Sequence, residues 1–231
     1  MNFFTASFSS AIQLVFSLDP ELLTVVKVSL RVSCLSTLLA SVLGIPLGFF
    51  IAHGHLPAKR LIITLLNSLL ALPTVVIGLF VYGFISRRGL FGSLDLLYTQ
   101  NAIIIGQVIL ITPLVTALIV AAISRIDERY AKTARTLGAT SLQTAVVIFR
   151  EARFGICAAV ISAFGRVISE IGISMMLGGN IKGFTRTMTT AMALEYDKGS
   201  FTLAIALGLV LMTISLAMNV LFNLVQGRGR L

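Results

Sequence analysis

Charged residues are scarce in this chain of 231 residues: Asp, Glu, Lys and Arg together make up 12%, against about a quarter in soluble domains. Hydrophobic residues make up 57%. So little charge excludes an ordinary soluble domain. Alternating strand patterning is also missing, which excludes a membrane β-barrel. Because backbone groups in lipid must be satisfied within the chain, the sequence predicts an all-α membrane protein.

Motifs for catalysis and metal binding are missing as well. The string GGNIKGFT places its lysine before the glycine, so it lacks the geometry of a phosphate-binding loop. No Ser/His/Asp or metal-ligand constellation occurs. Cys34 and Cys157 lie inside apolar runs, where cysteine fills space, and His53 and His55 fit a solvated connector better than a metal site. We therefore expect a non-enzymatic chain without metal or cofactor.

Five apolar segments are long enough to cross a hydrocarbon core, which takes about 20 residues. They are Val32–Ala52, Leu61–Phe84, Asn101–Ser124, Phe154–Ile181 and Ser200–Gly227. Only the fourth contains charged residues. Phe3–Phe16, followed by Asp19-Pro20, predicts a short amphipathic helix at the outer surface. The prediction is one domain over residues 1–231, a polytopic helical membrane protein with about five transmembrane helices.

Prolines and glycines occur within these predicted spans. Proline removes a backbone donor and kinks a helix, as expected at Pro46, Pro73 and Pro113. Glycine lets neighbouring helices approach closely, as expected at Gly44, Gly48, Gly78 and Gly83.

The net charge of +9 could suggest a nucleic-acid partner, but in a chain with five spans it indicates the positive-inside bias. With the N-terminus outside, the cytoplasmic segments are His53–Arg60, Arg125–Arg153 and the tail after Gln226. These segments hold ten of the 18 Lys and Arg residues, and the outer loops hold five. We expect the C-terminus in the cytoplasm and no nucleic-acid partner; the inverted topology is the alternative.

The segment Arg125–Arg153 is a polar, Arg-rich insert between two apolar runs. A helix-forming run leads to Gly138, which can end a helix in the left-handed conformation. Ser141 can then cap a second short helix that runs toward Arg150. The insert is therefore predicted to be two short helices joined at a glycine.

Such a unit would present Leu137 and Leu142 on a compact knob, rimmed by Lys132 and Arg135. The knob has a shape that fits a groove on a partner protein. An amphipathic connector held to the anionic inner leaflet by its arginines is the alternative.

The insert resembles the cytoplasmic loop of ABC importer permeases known as the EAA loop. Lys132-Thr133-Ala134 stands where that loop has Glu-Ala-Ala, Gly138 falls on its glycine, and Arg150-Glu151 stands where it has Leu-Pro. The ARTLGA core carries the match. The resemblance implies a coupling helix that docks on an ATPase subunit. The residues implied in docking are Lys132, Thr133, Ala134, Arg135, Leu137, Gly138, Ala139 and Leu142.

The C-terminal half resembles permeases of the molybdate, tungstate and sulfate importers. Glu170-Ile-Gly172, Gly179-Asn180-Ile181 and Gly183 carry that likeness, and GNIKGFTRTMTTAMALE is more similar to tungstate-specific permeases. The resemblance implies a homodimeric permease in a prokaryotic inner membrane. Its partners would be two ATPase subunits and an extracytoplasmic oxyanion-binding protein. Tungstate is the expected substrate, with molybdate or sulfate as the alternative.

Two other classes of function stay open. An anion channel or secondary carrier would transport without an ATPase, so it would not need the Gly138 region. A membrane scaffold would show no substrate-dependent flux.

Arg166 and Glu170 are the main candidates for the pathway. Charges within a span cost about 2.5–3.5 kcal/mol on insertion scales, so both side chains should face protein or water. They are four residues apart on one predicted helix face. Arg166 could attract a dianion while Glu170 keeps the site from holding it too tightly. A structural ion pair within the helix is the alternative.

The segment Leu177–Ser200 is too polar for a span and too apolar for a free loop. We expect a short, partly buried helix or a re-entrant segment at the outer end of the bundle. Asn180, Thr185 and Thr187 could offer donors to a tetrahedral oxyanion, or could satisfy local backbone groups. Lys182 and Arg186, also in this segment, are expected to meet acidic residues of the binding protein.

Overall fold

The computed structural model of the chain describes residues 3–54 and 57–227. Its helices are α1 Phe3–Phe16, α2 Pro20–His53, α3 Lys59–Leu70, α4 Thr74–Ile85, α5 Gln100–Ser124, α6 Glu128–Thr136, α7 Ser141–Ile168, α8 Gly172–Gly178, α9 Met188–Asp197 and α10 Phe201–Gly227. A 3-10 turn lies at Gly92–Leu94. No strand occurs in this part of the chain. The all-α prediction is therefore confirmed.

Three helices are long and apolar enough to cross a membrane: α2, α5 and the part of α10 from Phe201 to Leu221. Two bent pairs, α3 with α4 and α7 with α8, pass the same test of length and composition when each pair is taken together. Up to five spans result, in agreement with the predicted number. The chain is a multi-pass membrane protein.

The first span begins earlier than predicted. Helix α2 starts at Pro20 and runs for 34 residues, because Asp19 caps it. The Asp19 carboxylate accepts hydrogen bonds from the backbone N–H groups of Glu21 at 2.8 Å and Leu22 at 3.1 Å, and proline suits the first helical position. The span prediction from Val32 excluded the charged residues Lys27 and Arg31, but both lie on exposed positions of the helix.

Two of the predicted spans are broken rather than continuous. The axes of α3 and α4 differ by 94° across Ala71–Pro73, and those of α7 and α8 differ by 59°. Pro73 cannot donate the backbone hydrogen bond that would continue α3, and its extended ψ of 131° turns the chain. Pro46 and Pro113, by contrast, lie inside the unbroken helices α2 and α5.

Helices α2 and α5 form the centre of the bundle through close glycine contacts. A Cβ atom added to Gly44 would lie 2.8 Å from Val115 Cγ1, and one added to Gly48 would lie 2.7 Å from Ile119 Cβ. Both distances are shorter than a side chain tolerates, so only glycine permits this separation. The expected close approach is confirmed at these two positions and wrong at Gly83, whose added Cβ would have no neighbour within 4 Å.

Gly48→Ala is expected to destabilise the folded chain by about 1–3 kcal/mol, the usual cost of overpacking a core. The added methyl group meets Ile119 and, at 2.9 Å, the backbone oxygen of Thr116, which cannot move aside. Thermal unfolding of the purified protein in detergent measures the loss. Gly83→Ala is the matched control and should be neutral or slightly stabilising, since alanine favours helix by up to about 1 kcal/mol over glycine. Equal effects of the two substitutions would contradict the packing argument.

The first helix and the segment before α10 also pack into the bundle. Ala11 of α1 and Met188 of α9 are fully buried in one cluster with Leu207 of α10. The helix predicted at Phe3–Phe16 is confirmed. It packs against α10, and its location at the outer membrane surface stays a prediction. The expectation of a short, partly buried helix within Leu177–Ser200 is confirmed by α9.

Candidate functional site

The insert is a helix–turn–helix built by ordinary capping. Asp127 caps α6 by accepting a hydrogen bond from the backbone N–H of Arg129 at 2.9 Å. Gly138 then takes a φ of +84°, so the predicted left-handed stop is confirmed. The cap of α7 is Thr140 with Gln143, in a reciprocal capping box, and the prediction of Ser141 is wrong by one residue.

The second helix of the insert does not end near Arg150 as predicted. Helix α7 continues without a break from Ser141 to Ile168, so one helix contains both the second half of the insert and most of the fourth span. A force on the turn at Gly138 therefore acts directly on a helix of the bundle.

Two leucines project from the turn of the insert. Leu137 is 82% exposed and Leu142 is 76% exposed, although both are large apolar side chains. Thr133 is exposed on the same unit, and Ala134 and Ala139 are half-buried beside it. We call Leu137 and Leu142 with the Gly138 turn the leucine knob. Its exposed apolar surface in a polar setting is typical of a protein interaction site.

The two basic residues expected at the rim of the knob have partners within the chain. Lys132 Nζ lies 3.0 Å from Glu128 Oε2, and an Arg135 guanidinium nitrogen lies 3.3 Å from His53 Nε2 at the end of α2. Both residues line a cavity of about 750 Å³, together with Lys59 and Asp127. Arg135 therefore connects α6 to α2 in addition to bordering the knob.

Arg166 and Glu170 form the expected ion pair, with 2.7 Å between Arg166 Nη1 and Glu170 Oε2. Glu170 lies beyond the end of α7, in the break before α8, so the prediction of a shared helix face is wrong. Its side chain is 3% exposed, whereas that of Arg166 is 42% exposed. The other carboxylate oxygen accepts a hydrogen bond from the backbone N–H of Ile173 at 3.3 Å. Glu170 therefore stabilises the bend between α7 and α8.

Hydrogen bonds link Glu170 to the threonine segment before and within α9. The Thr189 hydroxyl donates to the backbone oxygen of Glu170 at 2.9 Å, and its Oγ1 lies 3.1 Å from Thr187 Oγ1. Asn180 Nδ2 donates to the backbone oxygen of Thr190 at 3.4 Å. Three of the candidate pathway residues, Glu170, Thr187 and Asn180, are thus brought into one network.

The threonines of this network largely satisfy local backbone groups, which was the alternative role for them. Thr185 is fully buried; its hydroxyl donates to the backbone oxygen of Gly178 at 2.5 Å and accepts from the backbone N–H of Ile181 at 3.0 Å. Thr187 caps α9. The buried Oδ1 of Asn180 has no hydrogen-bond partner in the described part of the chain, which leaves one unused acceptor in the segment.

Lys182 and Arg186 both pair with Glu21, near the start of α2. Lys182 Nζ lies 2.7 Å from Glu21 Oε2, and Arg186 Nη1 lies 3.7 Å from Glu21 Oε1. Within this chain both residues therefore have an acidic partner in Glu21, and their contact with acids of a binding protein stays a prediction. This pairing could not be predicted from the sequence, because Glu21 and Lys182 are 161 positions apart in the chain.

Comparison with known proteins identifies the family. The family described as binding-protein-dependent transport system inner membrane component matches residues 44–230. The chain belongs to this family. The expected resemblance to ABC importer permeases is thereby confirmed, and the relatives are named as permease subunits.

Two relatives of this transport component are similar over nearly their whole length, and a third is similar over about three-quarters of it. The tungstate uptake system permease protein TupB of Peptoclostridium acidaminophilum is 39% identical over 226 residues, which cover 98% of this chain and 99% of that protein. TupB of Campylobacter jejuni is 36% identical and covers 95% and 92%. The molybdenum transport system permease protein ModB of Escherichia coli K12 is 29% identical and covers 75% and 79%.

The fold of the transport component matches solved structures as well. A chain of a bacterial ABC transporter that imports the acidic polysaccharide alginate aligns with a TM-score of 0.75, over 99% of this chain and 90% of that chain. The sequence identity is 15%, so this likeness supports the fold alone.

The contacts of three polar residues of this transport component were not predicted from the sequence. No role was predicted for Glu21, and His53 was predicted only to lie in a solvated connector. Gln107 is buried in α5, where it accepts a hydrogen bond from the Ser36 hydroxyl at 2.8 Å and donates to the backbone oxygen of Val167 at 3.5 Å. A glutamine within an otherwise apolar span is the signal that could have pointed to it.

No cluster of three or more His, Cys, Asp or Glu side chains that could hold a metal occurs in residues 3–54 and 57–227. His55, one of the two histidines considered for a metal, lies outside the described residues, as do Arg228 and Arg230 of the tail.

Proposed function

We propose that this chain is the permease subunit of an ATP-driven tungstate importer and that the whole chain acts as one permease domain. The observation that carries the proposal is the 39% identity to a tungstate uptake permease across 98% of this chain. The molybdenum permease is 29% identical over 75% of the chain. We therefore place tungstate before molybdate as the substrate.

Two copies of the chain form the pathway in this proposal. Helix α3 buries none of its side chains within one chain, and α4 exposes Val75, Leu79 and Phe80. An apolar surface of this kind must face lipid or protein, and it leaves room for a second copy. The N-terminus lies outside and the C-terminus lies in the cytoplasm, as the positive-inside bias favours.

Energy comes from two ATPase subunits, each docked on a leucine knob. Closure of the ATPases upon ATP binding pushes α6 and α7 and opens the pathway to the outside. A binding protein then delivers the oxyanion, and ATP hydrolysis restores the inward-open state. The motion follows the general scheme of alternating access by rigid-body movement of helix groups.

Uptake of tungstate by proteoliposomes tests the proposal. Vesicles that contain this chain, its ATPase and its binding protein are expected to accumulate tungstate only when ATP is supplied, and a tenfold excess of molybdate should leave most of the uptake intact. Vesicles that lack the ATPase are the control.

Each of the other outcomes contradicts a specific part of the proposal. Equal competition by molybdate would replace tungstate with a general molybdate-type substrate range. Uptake without ATP would favour a channel or a secondary carrier.

A further inference from the structure

Helix α2 reaches both the insert and the segment between α8 and α9. Its 34 residues span about 51 Å at 1.5 Å per residue. His53 at its last position contacts the insert, whereas Glu21 near its start contacts the segment that carries Lys182 and Arg186. A displacement of α2 along its axis therefore affects both regions.

The contact between α2 and the insert is a specific polar one. Arg135 of α6 lies 3.3 Å from His53 Nε2. Because a guanidinium group has only donors, His53 must supply an unprotonated ring nitrogen as the acceptor. Within the described residues, Arg135 forms no ion pair with a carboxylate. His53 is therefore the side chain to which Arg135 forms a hydrogen bond in this part of the chain.

The end of α2 is held firmly enough to transmit a displacement. The ring of His53 stacks on Phe49 with 5.5 Å between centroids, and Phe49 stacks on Phe149 of α7 at 4.7 Å. Lys59 Nζ donates to the backbone oxygen of Ala52 at 2.6 Å and so satisfies one of the last carbonyl groups of the helix. The residue that Arg135 contacts therefore lies at a helix end that is itself packed against α7 and hydrogen-bonded to Lys59.

The middle of α2 contacts α5 on both sides of Pro46, where a helix is prone to kink. Pro46 lies between Gly44 and Gly48, and these glycines hold α2 directly against α5. Toward the start of the helix, Ser36 connects through Gln107 to the backbone oxygen of Val167, in the turn next to Arg166. Packing on both sides of Pro46 limits bending there.

The start of α2 contacts the segment that carries three of the candidate pathway residues. The Ser29 hydroxyl oxygen accepts a hydrogen bond from the backbone N–H of Met188, at the start of α9, with 2.7 Å between the atoms. Glu21 pairs with Lys182 and Arg186 in the loop before it. Movement of α2 therefore shifts the segment from Asn180 to Met188.

We propose that α2 carries the motion of the insert to this segment and that His53, through its contact with Arg135, is the positioning residue at which the motion enters α2. The inference rests on the proposed function, since it requires an ATPase that drives the insert. Motion of the insert can reach the bundle directly, because α7 continues from the insert into it. The inference adds a second route for this motion, through α2.

Reconstituted complexes of the chain with its ATPase and binding protein test this route. The measured quantity is the number of tungstate ions taken up per ATP hydrolysed, together with the amount of ATPase that co-purifies. His53→Ala is expected to lower uptake per ATP by about fivefold or more, the lower end of typical coupling between distant sites. ATPase binding should persist, because the leucine knob is unchanged.

Two further variants distinguish the role of His53 in positioning Arg135 from a general loss of structure. His53→Gln supplies an amide oxygen that can accept from Arg135, so it should restore most of the uptake per ATP. Arg60→Ala removes an exposed cation from the first turn of α3, where its side chain has no polar partner among the described residues, and should leave the ratio unchanged.

Three outcomes would overturn the inference. One is an unchanged ratio in His53→Ala. Another is a lower ratio that His53→Gln does not restore, which would mean that the imidazole serves packing alone. The third is a loss of ATPase binding together with uptake. If the unmodified complex shows no ATP-dependent uptake, the proposed function itself fails, which is a separate result.

Discussion

Replacing both leucines of the knob, in the double variant Leu137→Asp and Leu142→Asp, is expected to abolish ATP-driven uptake while the chain still folds. Both side chains are more than three-quarters exposed, so they contribute little to the fold of the single chain. Residues at the hot spot of an interface cost at least about 2 kcal/mol each when truncated, and we expect both leucines to belong to such a hot spot. A buried, unpaired carboxylate at that hot spot would add a further penalty.

The affinity of the permease for its ATPase should therefore fall by about 30-fold or more per leucine, since 1.4 kcal/mol corresponds to a factor of ten. Co-purification of the ATPase and ATP-dependent uptake are the two measurements. Leu90→Asp is the matched control, because Leu90 is 81% exposed but lies in the loop after α4. Its complex should retain the ATPase.

Retention of the ATPase by the double variant would contradict docking at the knob. The insert would then be better explained as a connector held at the membrane surface by its arginines, the alternative that the sequence left open.

Arg166→Met is expected to destabilise the folded chain by about 3 kcal/mol. The substitution leaves the buried carboxylate of Glu170 without its cation, and removal of one partner of a buried pair costs about 3–5 kcal/mol. The lower value applies because Arg166 is 42% exposed. Unfolding of the purified chain by heat or denaturant measures the effect. Arg150→Met, an exposed arginine in the same helix, is the control and should change stability by less than about 0.5 kcal/mol.

The double variant Arg166→Met with Glu170→Gln separates stability from transport. It removes both charges, and the amide oxygen can still accept from the backbone N–H of Ile173, so most of the lost stability should return. If Arg166 attracts the oxyanion, uptake should stay about tenfold or more below that of the unmodified chain, the effect of losing about 1.4 kcal/mol of attraction. Full recovery of uptake would show that the pair serves only to fix the bend.

The location of Glu170 illustrates what sequence patterns leave open at this site. Four residues separate it from Arg166, a spacing that indicates one helix face. The pairing is present, but the helix ends at Ile168, and Glu170 contacts the backbone of the following helix instead. The local pattern does not reveal the break, because the residues from Val167 to Ser174 contain no proline and differ little in composition from the helix before them.

The break in the second span was partly predicted. A kink was expected at Pro73, and α4 begins directly after this residue because proline has no backbone N–H to continue the preceding helix. The angle of 94° between α3 and α4 could not be derived from that residue. It depends on where α4 packs, and Ile77 and Val81 of α4 are buried against Ile173 and Leu177 of α8.

Composition and local chemistry by themselves determined the class of this protein. Scarce charge and long apolar runs require helices that cross a membrane, since lipid cannot satisfy backbone hydrogen bonds. Gly138 determined the turn of the insert, because glycine adopts a positive φ without strain. These features depend on a few neighbouring residues.

Only the tertiary structure decided which distant polar groups meet. Glu21 joins Lys182 and Arg186 across about 160 positions of the chain, and Arg135 joins His53 across 82. Both pairings arise because the long helix α2 packs against α5 and so brings its two ends beside the insert and the segment before α9. Helix packing, rather than any local pattern, sets those contacts, since they depend on the relative positions of whole helices.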